Sequence, residues 1–360
     1  MADDRILDTL VNFDGAGKVL SVYLDTELGG KSKEAVKLRF RDSVGALEES
    51  AAPEIEAVQD YLDFEFDWQT KGLGLWASGD ALWEVVTFPT TVDNKAVYTK
   101  APYIRILVDV LDRFAPYGVA LVDKEKVRLF SVAWGRIQAE SEAFGEEVKR
   151  HKQGGWAAAR YQRHEDHLAL RNLKNAVEIM EGFCQAWEYR RFVLGGTSEV
   201  LAQVKELLPQ HLREWVVGDF VIDIQASPEE ILERSFEVVQ QADLEEEKRL
   251  VSGAFTAASK GGPGVTGLPD TVYALHQGGV LVLLVDEDYT PSGYVCEQCG
   301  YVSQDAQPAC PLCGRDGMLE APDVVDLAIH KAIKTGARVN IVRDNEQLRE
   351  AGGIAALLRY

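Results

Sequence analysis

Long apolar runs are missing from this sequence. The strongest, Val280 to Val285, is only about six residues long, whereas a helix needs about 20 to span a bilayer. A membrane-spanning helix is therefore not expected. The start, Met1-Ala2-Asp3-Asp4-Arg5, is acidic and carries no signal-peptide core, which predicts a cytoplasmic protein with no membrane partner. Positive charge is also scarce. The chain has 38 Lys and Arg against 58 Asp and Glu, a net charge of −20, which argues against indiscriminate binding to nucleic acid or anionic membranes. No Gly-x-Ser-x-Gly elbow is present, which sets aside a hydrolase of the α/β type. The glycine-rich stretch 259–267 reads as a mobile loop, because no P-loop Lys-Ser/Thr follows its glycines. Cysteine is sparse, with five residues, but four of them fall into two pairs that suit a metal better than disulfides.

What is present describes a globular chain. Of its 360 residues, 46% are hydrophobic and 27% charged, ordinary for a folded protein of two or three domains. Strand-like and helix-like stretches alternate, which predicts a multidomain α/β fold with three mixed α/β domains. The boundaries are set at 1–112, 113–241 and 242–360, with a zinc-ribbon insertion at 294–317 in the third. In the first, 18–25 is a strand, 31–49 and 53–66 are helices, and 72–78 pairs with 82–88 around Gly79-Asp80. In the second, strands at 118–122, 127–133 and 136–140 precede a long helix. Leu173, Ala176, Val177, Met180, Cys184 and Trp187 recur on that helix at spacings of three and four, giving one buried face. Cys184 is therefore a small core residue. A strand follows at 192–194, then a helix capped by Ser198, a strand at 220–224 and a helix opened by Pro228. The third has helices at 271–276, 324–334 and 347–350, with strands at 280–285 and 339–342. His330 reads as a surface residue of its helix.

The most specific motif is Cys296-x-x-Cys299-Gly300, followed after ten residues by Cys310-Pro311-Leu312-Cys313-Gly314. Each Cys-x-x-Cys turn aims two thiolates at one point, and two such turns make a tetrahedral four-thiolate zinc site. Cys296, Cys299, Cys310 and Cys313 would fill every coordination position, so no water remains to be activated and the zinc is structural. Metal binding should supply on the order of 10 kcal/mol of apparent folding energy to so short a segment.

The other distinctive stretch is a basic island in the acidic chain. From Lys149 to Lys174 there are seven Lys and Arg against Glu165 and Asp166, or +5 locally. Gly154 and Gly155 sit inside it, just before a helical pattern, and glycine pairs let a backbone approach another molecule closely. Lys149, Arg150, Lys152, Gly154, Gly155, Trp156, Arg160, Arg163, Arg171 and Lys174 are the candidate RNA-binding residues. The plainer reading is a surface loop and helix start with solvated charges.

Gly154-Gly155-x-x-x-x-Arg160-Tyr161-x-Arg163, preceded by Lys152 and followed by a long helix, resembles the Gly-Gly-Gln loop of archaeal and eukaryotic class-1 peptide release factors. Other stretches agree in order. Residues 117–123 resemble the central-domain strand before that loop, and Phe192-Val193-Leu194-Gly195-Gly196 the strand after the helix. Ala274 to Val280 resembles the opening of the C-terminal domain, and Gly352-Gly353-Ile354 through Tyr360 the closing signature. The zinc pairs lie where some archaeal members carry a ribbon. The likeness covers 113–360, about two-thirds of the chain.

Two departures stand beside it. Trp156 occupies the place of the glutamine that helps position water for attack on the peptidyl-tRNA ester. An indole has one donor, no acceptor and greater bulk; it can stack on a base but fits a glutamine passage poorly. Residues 1–112 do not resemble the codon-reading domain, and its Asn-Ile-Lys-Ser loop is absent. The chain is thus similar to a bacterial branch of the superfamily, related to Pelota and the hibernation factor Balon. That resemblance implies a ribosome A-site factor for hibernation or rescue that contacts rRNA near the peptidyl-transferase centre without hydrolysis. It implies EF-Tu or a related translational GTPase as partner. The alternative is a peptidyl-tRNA hydrolase acting on stalled ribosomes, with Gln153 or His151 as the catalytic group that orients water.

Overall fold

The computed structural model describes residues 2–30, 32–47, 49–146 and 158–360, including their side chains except those of 2–4 and 158–165. The chain divides into two compact units, one of residues 1–113 with 246–360 and one of residues 114–245. The first and last of the three sequence stretches therefore share a unit.

The first stretch begins with α1 (Ala2–Val11) and β1 (Val19–Asp25). Then come α2 (Lys33–Val44), capped by the Ser32 hydroxyl, and α3 (Ala52–Phe64), which has Pro53 in its first turn. Strands β2 (Gly72–Ser78), β3 (Leu82–Phe88) and β4 (Lys95–Thr99) precede α4 (Arg105–Arg113). The sheet order is β3-β2-β1-β4, antiparallel throughout. Leu20, Val22 and Leu24 alternate onto one face of β1 and pack with Phe40, Val44, Val58 and Leu62 of α2 and α3. Tyr23, on the other face, is equally buried. This accounts for the near-continuous apolar run of β1, which is covered on both sides.

The second unit contains β5 (Tyr117–Val122), β6 (Lys126–Ala133), β7 (Arg136–Phe144) and the 30-residue helix α5 (Ala158–Trp187). These lead to β8 (Phe192–Gly196), α6 (Ser198–Leu207), α7 (Gln210–Trp215), β9 (Val216–Val221) and α8 (Pro228–Ser259). The sheet runs β7-β6-β5-β8-β9, with β8 parallel to both β5 and β9. On one face Leu173, Val177, Met180 and Cys184 of α5 pack with Ala120, Val122 and Leu129, as their helical spacing predicts. On the other, Val119, Leu121 and Phe130 meet Ile231 and Val239 of α8. Two expectations change. Thr197, not Ser198, caps α6, with its hydroxyl accepting from the Val200 N–H. The strand expected at 220–224 ends at Val221, because Asp223 accepts from the Gln225 N–H and turns the chain there.

The last stretch adds β10 (Gly264–Thr266), α9 (Leu268–His276) and β11 (Val280–Asp286). Strands β12 (Gly293–Val295), β13 (Val302–Ser303) and β14 (Leu319–Ala321) form a small sheet in the order β13-β12-β14. The chain ends with α10 (Val324–Lys334), β15 (Arg338–Val342), α11 (Glu346–Glu350) and β16 (Ile354–Leu358). The larger sheet is β10-β16-β11-β15, in which β11 and β15 are parallel. The stretch 259–267 is not all loop: its residues 264–266 pair with β16. A Cβ at Gly264 would lie 2.5 Å from the Ala254 carbonyl, so glycine is what lets this edge close against α8.

Within this unit, residues 102–105 are fixed by groups more than 180 positions away. The Asp326 carboxylate accepts from the N–H groups of Ile104 and Arg105, each at 2.9 Å. A side chain of α10 thereby caps α4. Asp323 caps α10 through one oxygen and accepts from the Tyr103 hydroxyl (2.9 Å) through the other. The Arg105 guanidinium donates to the carbonyls of Asp286, Glu287 and Tyr289 at and beyond the end of β11 and lies 3.5 Å from Asp323. His330 corrects its surface assignment: it is buried, and its Nε2 donates to the Pro102 carbonyl at 2.7 Å. Its helix is enclosed by apolar neighbours, and the imidazole stays inside because a backbone oxygen waits for it.

Candidate functional site

The basic island runs from beyond β7 into the middle of α5. Lys149, Arg150, His151, Lys152, Gln153, Gly154, Gly155 and Trp156 fall outside the described residues. Arg160 and Arg163 lie on the first turns of α5, described by backbone alone. Arg171 and Lys174 are exposed further along the same helix, and the Arg171 guanidinium pairs with the Glu146 carboxylate at the end of the incoming chain. His167 is exposed as well. The buried stripe of α5 holds the helix on the sheet, and Arg171 and Lys174 lie on its exposed side. The sequence motif and the described part of its helix are thus contiguous, with Arg171 already bound to an acid.

The four paired cysteines come together. Their Sγ atoms all lie within 4.8 Å of one another. Cys296 and Cys313 are 3.6 Å apart, as are Cys299 and Cys310, far beyond the ~2.05 Å of a disulfide. A tetrahedral ion with Zn–S bonds of ~2.3 Å spaces its sulfurs by roughly 3.8 Å, so this set can hold one. The two turns share one pattern. The N–H of Cys296 donates to the Tyr301 carbonyl and that of Gly300 to the Cys296 carbonyl, all at 2.8 Å. The same bonds recur from Cys310 to Arg315 and from Gly314 to Cys310, again at 2.8 Å. Gly300 and Gly314 close the turns with φ of 72° and 73°, a left-handed conformation that glycine adopts without strain. Backbone N–H groups of Cys299 and Gln298 pull the Cys296 thiol down to about 7, while burial pushes Cys299 up to about 12. The unlike thiols of Cys296 and Cys299 are what a bound cation would level, since each must be a thiolate to ligate.

Among the described residues, no nucleophile–base pair of the acyl-transfer kind accompanies these features. An open cleft of about 520 Å³ lies by Lys205, Arg213 and Asp219, where Lys205 and Asp219 pair with each other. The most perturbed polar cluster is the one sequence reasoning missed. Burial and the neighbouring Asp323 carboxylate raise Asp326 to about 7. Burial lowers His330 to about 4. Burial and Asp323 also push the Tyr103 hydroxyl far up. These groups bond to one another and to backbone, in the manner of a structural brace.

Residues 102–240 match the family described as bacterial archaeo-eukaryotic release factor family 10. The chain is 24% identical over 279 residues to peptide chain release factor subunit 1 of Archaeoglobus fulgidus, covering 72% of this chain and 69% of that protein. These matches make the chain similar to the archaeal and eukaryotic peptide chain release factors. Peptide chain release factor subunit 1 of Methanopyrus kandleri is 28% identical over 210 residues, covering 55% of this chain and 50% of that protein. A solved chain from a model of ribosome-bound archaeal Pelota and ABCE1 aligns over 80% of this chain and 77% of its own length, at 13% identity and a TM-score of 0.42. The family match runs from α4 into α8 and so includes the whole basic island.

Proposed function

We propose that this chain is a ribosome A-site factor that binds without hydrolysing peptidyl-tRNA and serves hibernation or rescue. The observation that carries this reading is the sequence Gly154-Gly155-Trp156 inside a +5 segment of a −20 chain. The cations and the glycine pair suit close approach to rRNA phosphates near the peptidyl-transferase centre. Trp156 supplies a stacking face where water positioning needs an amide. Similarity to peptide chain release factors supports the ribosome as the target. EF-Tu or a related translational GTPase is the partner proposed from the same resemblance, and the cytoplasm is the compartment where both are met.

Cys296, Cys299, Cys310 and Cys313 are proposed to hold one structural zinc. Four thiolates at tetrahedral spacing leave no open position, so the ion would brace the small sheet and supply no reactive water.

The test is incubation of the purified chain with ribosomes stalled on labelled peptidyl-tRNA, with and without EF-Tu and GDP. Binding with no peptide release above the water rate is the expected result. Release that disappears in Gln153→Ala or His151→Ala would instead establish the hydrolase.

A further inference from the structure

The chain leaves the five-stranded sheet after Phe144 and returns to it along α5, and the two passages meet at one side chain. Asn172 lies 14 residues after Ala158 on α5, about 21 Å along the helix axis. It is buried. Its Oδ1 accepts from the Glu146 N–H at 3.1 Å. Its Nδ2 donates to the Glu146 carbonyl at 2.7 Å and to the Lys124 carbonyl at 3.0 Å. One amide thus satisfies both backbone groups of Glu146, as a neighbouring strand would, and links them to the turn after β5.

That turn is itself fixed. Asp123 Oδ1 accepts from the N–H groups of Glu125 and Lys126 at 2.7 and 2.6 Å. The Gly145 N–H donates to the Glu125 carbonyl at 2.7 Å. A Cβ on Gly145 would sit 2.5 Å from Asn172 Cγ, so the glycine is what admits the amide. The demand on residue 172 is equally narrow. Aspartate would turn an acceptor toward two carbonyls, and alanine would take from three backbone groups the partner that holds them together.

We propose that Asn172 is the positioning residue of the basic segment, fixing the neck where Glu146, at the end of the strand side, is tied to the middle of α5. Six of the seven Lys and Arg of the island lie between the two sides of that neck. Cations presented from a fixed base meet several phosphates together, whereas a loose base must first be ordered, which weakens binding. The assignment rests on the reading of this segment as the ribosome-contacting one.

The experiment compares full-length wild type, Asn172→Ala, Asn172→Asp and Val204→Ala, the last a core truncation in the same unit that leaves the neck bonds in place. Hydrogen exchange of residues 144–146 and co-pelleting with vacant ribosomes at two salt concentrations are measured at conditions of matched global stability. Both Asn172 variants should exchange at least tenfold faster at 144–146 and bind ribosomes at least tenfold more weakly than Val204→Ala. Exchange equal to that of Val204→Ala overturns the neck, and faster exchange with undiminished ribosome binding overturns the positioning role. If wild type itself does not pellet, the ribosome reading fails, while exchange still decides whether Asn172 holds the neck.

Discussion

Arg105 shows how much one side chain can organise. Its guanidinium serves three carbonyls at and beyond the end of β11 and faces Asp323, while its own N–H is taken by Asp326. Replacing it with methionine keeps much of the volume but strands those acceptors and an uncompensated carboxylate. The expected loss is about 3–5 kcal/mol, read as a lowered urea midpoint of the unit containing 1–113 and 246–360. Asp326 gives a pH signature. Its folded value of about 7 lies above its ordinary value near 3.9. The folded state therefore binds the extra proton, and Asp326's contribution is greatest below about 4 and is lost as pH rises toward 7. His330 runs the other way. Its depressed value of about 4 gives stability that is present above about 6.5 and lost as pH falls toward 4. Asp326→Asn keeps an acceptor for the α4 cap and removes one of these opposed slopes. Its urea midpoint should gain on that of wild type as pH is raised from 4 to 7; a constant difference would contradict the assignment.

At the scale of elements, the cysteine turns and the α5 stripe were legible because their signals are local. Cys-x-x-Cys-Gly fixes a turn within five residues, and the spacing of Leu173, Val177, Met180 and Cys184 fixes a helix face. Strands β2 and β3 could be bounded from Gly72 to Phe88 because the tight turn at Gly79 separates two apolar runs. What was not legible lies between distant segments. Nothing near Asp326 in sequence announces that it caps α4, and nothing near Pro102 asks for His330. A signal existed in α10, Val324-Val325-Asp326-Leu327-Ala328-Ile329-His330: apolar residues surround the helix, so its polar ones must be buried and bonded. The early end of β9 was hidden because Ile222 and Ile224 continue the apolar run past the Asp223 turn. The cysteine element carries its own prediction. One equivalent of zinc should be measured in the purified chain, and Cys296→Ser or strong chelation should remove it. Protection from trypsin at Arg315 should then fall, while the unit of 114–245 keeps its melting temperature. Retained protection without metal would show that the small sheet stands on its own packing.

For the whole molecule, charge is distributed unevenly, with a −20 chain carrying a +5 stretch between β7 and the middle of α5. An acidic body repels rRNA, so association should depend on that stretch and weaken steeply with salt. Each phosphate contact removed should lower the slope of log affinity against log salt by about one. The central claim is that this stretch carries the molecule to the ribosome. Its most direct test is the salt dependence of co-pelleting with vacant bacterial ribosomes for wild type and for Arg160→Glu/Arg163→Glu. The account predicts salt-sensitive binding by wild type and loss of binding by the double variant at every salt concentration. Equal pelleting of the two proteins, or no pelleting of wild type even at low salt, would contradict it.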